Sequence, residues 1–169
     1  MTKRRILCIE DHPEMIDLMR LILERRGFEV DGAVGGKEGL EAVRRDPPDL
    51  ILLDLMMPDL DGWEVWRALK ASDDLKEIPV VVVTAKAQGI DKVLGLQIAG
   101  VDDYITKPFD VDQLLNNIQT VLDKRKLEIN LKEKSQVLEG KIPPYSYEFI
   151  DPTIQSGVTY YYWLEEIGA

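Results

Sequence analysis

An acidic pair at Glu10 and Asp11, a lone acid at Asp54, a hydroxyl at Thr84 and an amine at Lys107 all stand where short apolar runs of the chain end. Carboxylates gathered in one place repel one another and raise their own pKa values unless a cation sits among them. Ligands that are all oxygen favour Mg2+, which prefers an octahedral shell and keeps several waters. Such an ion also binds phosphoryl oxygens and neutralises charge during in-line attack by a carboxylate. A lysine offers a compact positive charge to another phosphoryl oxygen, and a threonine hydroxyl donates a hydrogen bond to a third. The set suits phosphoryl transfer to Asp54. A plainer reading is that polar residues mark where buried strands meet water. It accounts for one or two of these positions, and poorly for an inventory that matches one reaction.

Bringing such scattered residues together requires an architecture whose strand ends meet. The first two-thirds of the chain alternates short apolar runs with amphipathic stretches. Residues 5–9 read as a strand, followed by a helix from Pro13 in which Ile16, Met19, Ile22 and Leu23 share one face. Gly27 suits the end of that helix. A second strand over 28–33 and a second helix over 36–45 follow, and Pro47-Pro48 then breaks the chain. Residues 49–54 form an apolar run without alternation, as a strand buried on both faces of a parallel sheet requires, and 79–84 form another. Helices are expected over 62–71 and 87–99, a fifth strand over 101–106, and a last helix from Asp110, whose carboxylate can cap it. Strict strand–helix alternation implies a doubly wound parallel α/β sheet, in which ligands bind beyond the carboxyl ends of the strands.

Composition narrows the function classes. The net charge is −10, and no basic face of the kind a nucleic-acid binder carries stands out. Lys3, Arg4 and Arg5 read as a solvated strand start. Charge appears at once and no long apolar run follows, so neither a secretory leader nor a membrane span is expected. The single cysteine, Cys8, lies in an apolar strand pattern and reads as a buried small hydrophobe in a reducing compartment, with the cytoplasm as the expected location. His12 follows the acidic pair but is expected as an exposed loop side chain, since Mg2+ prefers oxygen.

Taken in order, Glu10-Asp11, Asp54 with Pro58 and Gly62 beyond it, Thr84-Ala85, Tyr104 and Lys107-Pro108 resemble the motif set of a response-regulator receiver domain over residues 3 to 125. The resemblance implies a flavodoxin-like five-stranded sheet in the order 2-1-3-4-5. It implies that Glu10, Asp11 and Asp54 hold Mg2+ together with the backbone carbonyl of Met56. Asp54 then takes a phosphoryl group from the phosphohistidine of a sensor histidine kinase or phosphotransfer protein. Lys107 pairs with the phosphate, and its bond to Pro108 is expected to be cis. Thr84 and Tyr104 act as the linked switch, and the small Ala85 leaves the phosphate a way in. Positions 56 and 86, Met56 and Lys86 here, are where receivers vary and phosphate lifetime is set; an apolar Met56 is expected to hinder attacking water. The output is a changed face around the fifth strand and its flanking helices, offered to a downstream protein partner. Trp63 and Trp66 are expected away from that face.

Beyond residue 125 the resemblance stops while the helical pattern continues to about residue 139. Leu115, Ile118 and Leu122 form the expected core stripe, and Leu127, Leu131 and Leu138 a further one. That second stripe needs a partner, either a second copy of the chain or the folded-back tail. Residues 1–125 are thus read as the receiver, 126–140 as a helical extension, and 141–169 as an aromatic-rich β-hairpin tail that weakly resembles part of a fibronectin type III-like sandwich. With so short a tail and no excess of basic residues in it, no DNA-binding or enzymatic output domain is expected within these residues. A haloacid dehalogenase-type phosphatase also uses aspartate, Mg2+, threonine and lysine, but places a second aspartate two positions after the nucleophile, where Met56 stands here. A receiver-like scaffold that takes no phosphate is the other rival, and the complete acidic, threonine and lysine set speaks against it.

Overall fold

A computed structural model of the chain describes residues 3–85 and 100–140. Within them the elements are β1 (Arg5–Glu10), α1 (Pro13–Glu24), β2 (Glu29–Val34), α2 (Gly36–Arg45), β3 (Leu50–Leu53), α3 (Gly62–Lys70), β4 (Val80–Ala85), β5 (Asp103–Lys107) and α4 (Val111–Gly140). All strand pairs are parallel, and the sheet runs β2-β1-β3-β4-β5, the order expected. The helix expected over 87–99, Lys86 and the hairpin expected over 141–169 lie outside the described residues.

Alternate residues of the central strands feed opposite faces of the sheet. On one face Ile6, Cys8, Leu50, Leu52, Val81, Val83 and Ile105 meet Ile16, Met19 and Leu23 of α1 and Leu114, Ile118, Val121 and Leu122 of α4. On the other, Leu7, Ile9, Ile51, Leu53 and Val80 meet Leu40 and Val43 of α2 and Val65 and Leu69 of α3. Burying each large side chain contributes about 1.5–3 kcal/mol relative to exposure, which is why apolar runs without alternation are stable only in the middle of such a sandwich. The buried row of α4 is Leu114, Ile118, Val121 and Leu122, with Leu115 only partly covered. The expected row of Leu115, Ile118 and Leu122 thus packs on the core and is widened by Leu114 and Val121, because the contact face of a packed helix is wider than a single three-four row.

Local chemistry sets the helix starts. Helix α3 begins in a capping box: the Asp61 carboxylate accepts the Glu64 N–H at 2.8 Å, and the Glu64 carboxylate accepts the Asp61 N–H at 3.2 Å. Helix α2 has no such help, since its N-cap is Gly35 at φ 95°. At the amino edge of the sheet, Arg5 ties several segments at once. Its N–H donates to Asp49 at 2.7 Å, its guanidinium bonds both the carboxylate and the carbonyl of Asp46, and Asp31 of β2 lies 3.4 Å from its Nε.

The chain divides into two units, Met1–Glu128 and Ile129–Ala169. Two leucines of the second expected stripe, Leu127 and Leu131, are 59% and 57% exposed. Among the described residues no helix is long and apolar enough to cross a membrane.

Candidate functional site

The carboxyl edge of the sheet gathers the residues singled out above. Glu10 is the last residue of β1, Lys107 is the last of β5, and Asp54 directly follows β3. Glu10 and Asp54 are only 1% and 5% exposed, an arrangement that two carboxylates sustain only with a counter-charge. Lys107 supplies it: its Nζ donates to Glu10 Oε2 at 2.5 Å and to Asp54 Oδ2 at 2.7 Å. The second oxygen of Asp54 accepts the Met56 N–H at 3.0 Å. Burial pushes the Glu10 carboxyl above its ordinary pKa, and the lysine only partly offsets this. Burial also works against the charge on Lys107, but its hydrogen bonds to Asp54 and Glu10 outweigh it and hold its pKa above the usual lysine value. The Lys107–Pro108 bond is cis, as expected.

Asp11 stands beside this pair, half-buried. Its Oδ1 is buried and accepts no hydrogen bond, although His12 Nδ1 lies 2.9 Å away as an ionic contact without hydrogen-bond geometry. One ligand atom from each of Glu10, Asp11 and His12 lies within 4.8 Å of the others. A buried carboxylate oxygen without a donor, next to a second acid, fits a hard divalent cation such as Mg2+. His12 was expected as a plain loop side chain. It is exposed, yet its Nδ1 also lies 3.1 Å from Glu10 Oε1, and Glu10 first, then Asp11, holds its pKa above the ordinary histidine value. An i, i+2 relation across a strand end carries no periodic signal, so this contact was not legible beforehand.

Thr84 lies one residue before the end of β4, in register with Thr106, while Ala85 is in register with Lys107. Among the described residues no hydrogen bond joins its hydroxyl to the Glu10–Lys107–Asp54 group, with which it shares this edge of the sheet. Tyr104 is half-buried against Leu55 and Val82, and Trp63 packs on that same small cluster. Trp63 is thus not remote from Tyr104. The turn from Leu55 into α3 is tight enough to bring the first turn of α3 onto the cluster, with the Gly62 N–H donating to the Leu55 carbonyl at 3.1 Å.

The loop between Asp54 and α3 carries a further residue that sequence reading passed over. Asp59 accepts the Gly36 N–H on Oδ1 and the Lys37 N–H on Oδ2, each at 3.1 Å. Hydrogen bonds from Lys37 and from its neighbours hold its carboxyl below the usual aspartate value. Its partners lie on α2, more than twenty residues away in the chain, so no local spacing announces them.

A family model described as the response regulator receiver domain matches residues 6–119. The DNA-binding dual master transcriptional regulator RpaA of Synechocystis is 42% identical over 118 residues, which is 70% of this chain and 48% of that protein. The alkaline phosphatase synthesis transcriptional regulatory protein PhoP of Bacillus subtilis is 36% identical over 140 residues, 82% of this chain and 57% of that protein. The chain thus spans about half the length of the curated relatives it matches. Among solved structures, the signal receiver domain of a signal transduction histidine kinase from Syntrophus aciditrophicus is similar, with a TM-score of 0.66 and 34% identity over 72% of this chain and 91% of that one.

Proposed function

Since the chain belongs to the response regulator receiver family, we propose that it is a phosphorylation switch whose acceptor is Asp54. The observation that carries this reading is the Lys107 ammonium held between Glu10 and Asp54 at 2.5 and 2.7 Å. An acceptor carboxylate needs a cation at hand for the dianionic group it receives, and this one has it before the phosphate arrives. Asp54 attacks the phosphorus of a phosphohistidine on a sensor histidine kinase or phosphotransfer protein. The P–N bond breaks, the imidazole leaves, and an acyl phosphate remains on Asp54. Lys107 then pairs with a phosphoryl oxygen. Glu10, Asp11, Asp54 and the Met56 carbonyl are the groups assigned to hold Mg2+, which when bound neutralises charge on the transferred group. Beyond its own phosphorylation and dephosphorylation the chain is assigned no catalysis.

The added phosphate brings roughly −1.5 to −2 charges and strong acceptor oxygens. Thr84, at the carboxyl end of β4, is assigned to one of them, and Tyr104 is assigned to follow inward beside Leu55 and Val82. The output of residues 1–140 is read as contact with a downstream protein in the cytoplasm. A second copy is one such partner, pairing through the exposed Leu127 and Leu131 of the 126–140 extension and through the 141–169 tail. RpaA is by its name DNA-binding, and the match covers under half of it. That property belongs to RpaA and is not carried to this chain.

The test is incubation with Mg2+ and acetyl phosphate, followed by intact mass measurement beside Asp54→Ala. One added phosphate, lost in the variant, is the expected result. Repeated turnover of diverse phosphomonoesters, or no modification at all, refutes it. Sizing chromatography of the two forms checks whether phosphate drives pairing.

A further inference from the structure

We infer that Asp59 is a positioning residue for the Asp54 site, holding the loop after Asp54 against the N-terminus of α2 and thereby fixing the Met56 backbone. The inference rests on Asp54 being the phosphoacceptor. Helix α2 is capped by Gly35, which has no side chain to satisfy the first N–H groups. Asp59 accepts two of them, from Gly36 and Lys37 at 3.1 Å each, from 23 and 22 residues away. The two segments touch without a gap. A Cβ on Gly36 would lie 2.4 Å from the Leu60 carbonyl oxygen, and one on Gly35 would lie 2.9 Å from the Asp59 carboxylate.

Helix α2 is itself a fixed reference. Gly39 lets it sit directly on Ile9, the residue before Glu10, where a Cβ would come within 2.6 Å of the Ile9 side chain. Asp59 therefore registers the loop against the strand that delivers Glu10 and Asp11. Met56 needs that support, because it is 59% exposed and little of it is buried to hold it in place. Its N–H nevertheless bonds Asp54 Oδ1 at 3.0 Å, and its carbonyl is one of the groups assigned to Mg2+. The flanking Leu55 and Met57 are buried in different clusters, which fixes the two ends of this short stretch but leaves its lateral placement to Asp59.

A plain helix cap would contribute stability and nothing else, so the test needs a control that is only structural. Asp49 serves, since it accepts the Arg5 N–H at 2.7 Å at the opposite edge of the sheet. The full chain, Asp59→Ala, Asp59→Asn and Asp49→Ala are compared at a temperature where circular dichroism shows each folded. The readout is the Mg2+ concentration giving half-maximal Asp54 phosphorylation by acetyl phosphate, with Mg2+ affinity measured separately by titration calorimetry. For Asp59→Ala both shift by on the order of 10-fold, as when the groups that orient a metal ligand are lost. Asp59→Asn, which keeps one acceptor oxygen, shifts less, and Asp49→Ala does not shift. An Asp59→Ala chain with the Mg2+ requirement and affinity of Asp49→Ala overturns the inference. An unsubstituted chain that takes no phosphate overturns the phosphoacceptor reading instead, and calorimetry then still decides whether Asp59 positions the Mg2+ ligands.

Discussion

Replacing Gly62 by alanine adds one methyl group at the most crowded point of the site. A Cβ there would lie 2.2 Å from the Asp54 carbonyl oxygen and 2.6 Å from the Leu55 Cα, where ordinary contact begins at 3.4 Å. Both obstacles are backbone, so no side chain can swing aside, and strand end and helix start must part by about 1 Å. Overpacking of this kind costs about 1–3 kcal/mol. Against it stands the better helix propensity of alanine and its smaller unfolded-state entropy, together worth up to about 1 kcal/mol. The steric effect is the larger, for a net loss of about 1–2 kcal/mol. For a domain of this size that lowers Tm by roughly 4–8 °C and the urea midpoint by about 0.5–1 M. The displaced backbone is that of Asp54, whose own N–H is bonded to the Ile9 carbonyl at 3.0 Å, so the variant also phosphorylates more slowly where it is still fully folded. Thermal and urea denaturation followed by circular dichroism give the first quantity, and mass-resolved time courses with acetyl phosphate give the second. A Gly62→Ala chain as stable as the parent, or more so, means that the helix absorbs the methyl group and the close approach constrains nothing.

Two further outcomes follow from the same geometry. His12 is the only histidine, so its imidazole resonance is unambiguous in a pH titration. Its pKa lies above 6.5 because of Glu10 and Asp11, so its contribution to stability is full below pH 6.5 and is lost as pH rises through the folded value. Mg2+ engaging those acids brings the midpoint down; a midpoint indifferent to Mg2+ refutes the assignment of Glu10 and Asp11 as ligands. Cys8 is fully buried and burial pushes its thiol pKa up to about 12, with Arg20 pulling the other way. Its labelling by a thiol reagent is therefore expected to track global unfolding in added denaturant; rapid labelling of the native chain would show a local opening of β1.

Much of the framework was legible from pattern. The runs around Leu50–Leu53 and Val80–Val83 lack alternation because both faces of the central strands are covered, and that reading alone demands a doubly wound sheet. Once the sheet is assumed, Glu10, Asp54 and Lys107 fall at one edge by topology. What periodicity could not reveal were contacts made across elements. Asp59 looks like one more turn acid in a loop that already contains Asp61, and only the spatial approach of α2 distinguishes the two. Trp63 reads as either a packing or a surface residue of the helix until the turn at Gly62 brings it onto Leu55 and Val82. The addition of Leu114 and Val121 to the row expected from Leu115, Ile118 and Leu122 has the same origin, since a helix resting on a sheet chooses its contact face by tertiary fit.

The Lys107 bridge also bears on when the molecule becomes competent. Its two bonds join residues 97 and 53 positions apart, and neither can close until the last strand has been laid against the fourth. Loop-closure entropy makes such distant pairings late events in folding, and parallel sheets are slow to form for the same reason. A chain still emerging, or one with its last strand detached, therefore presents Glu10 and Asp54 without the cation between them. Only the completed fold places the Lys107 ammonium between the two carboxylates and so sets the geometry of the pair.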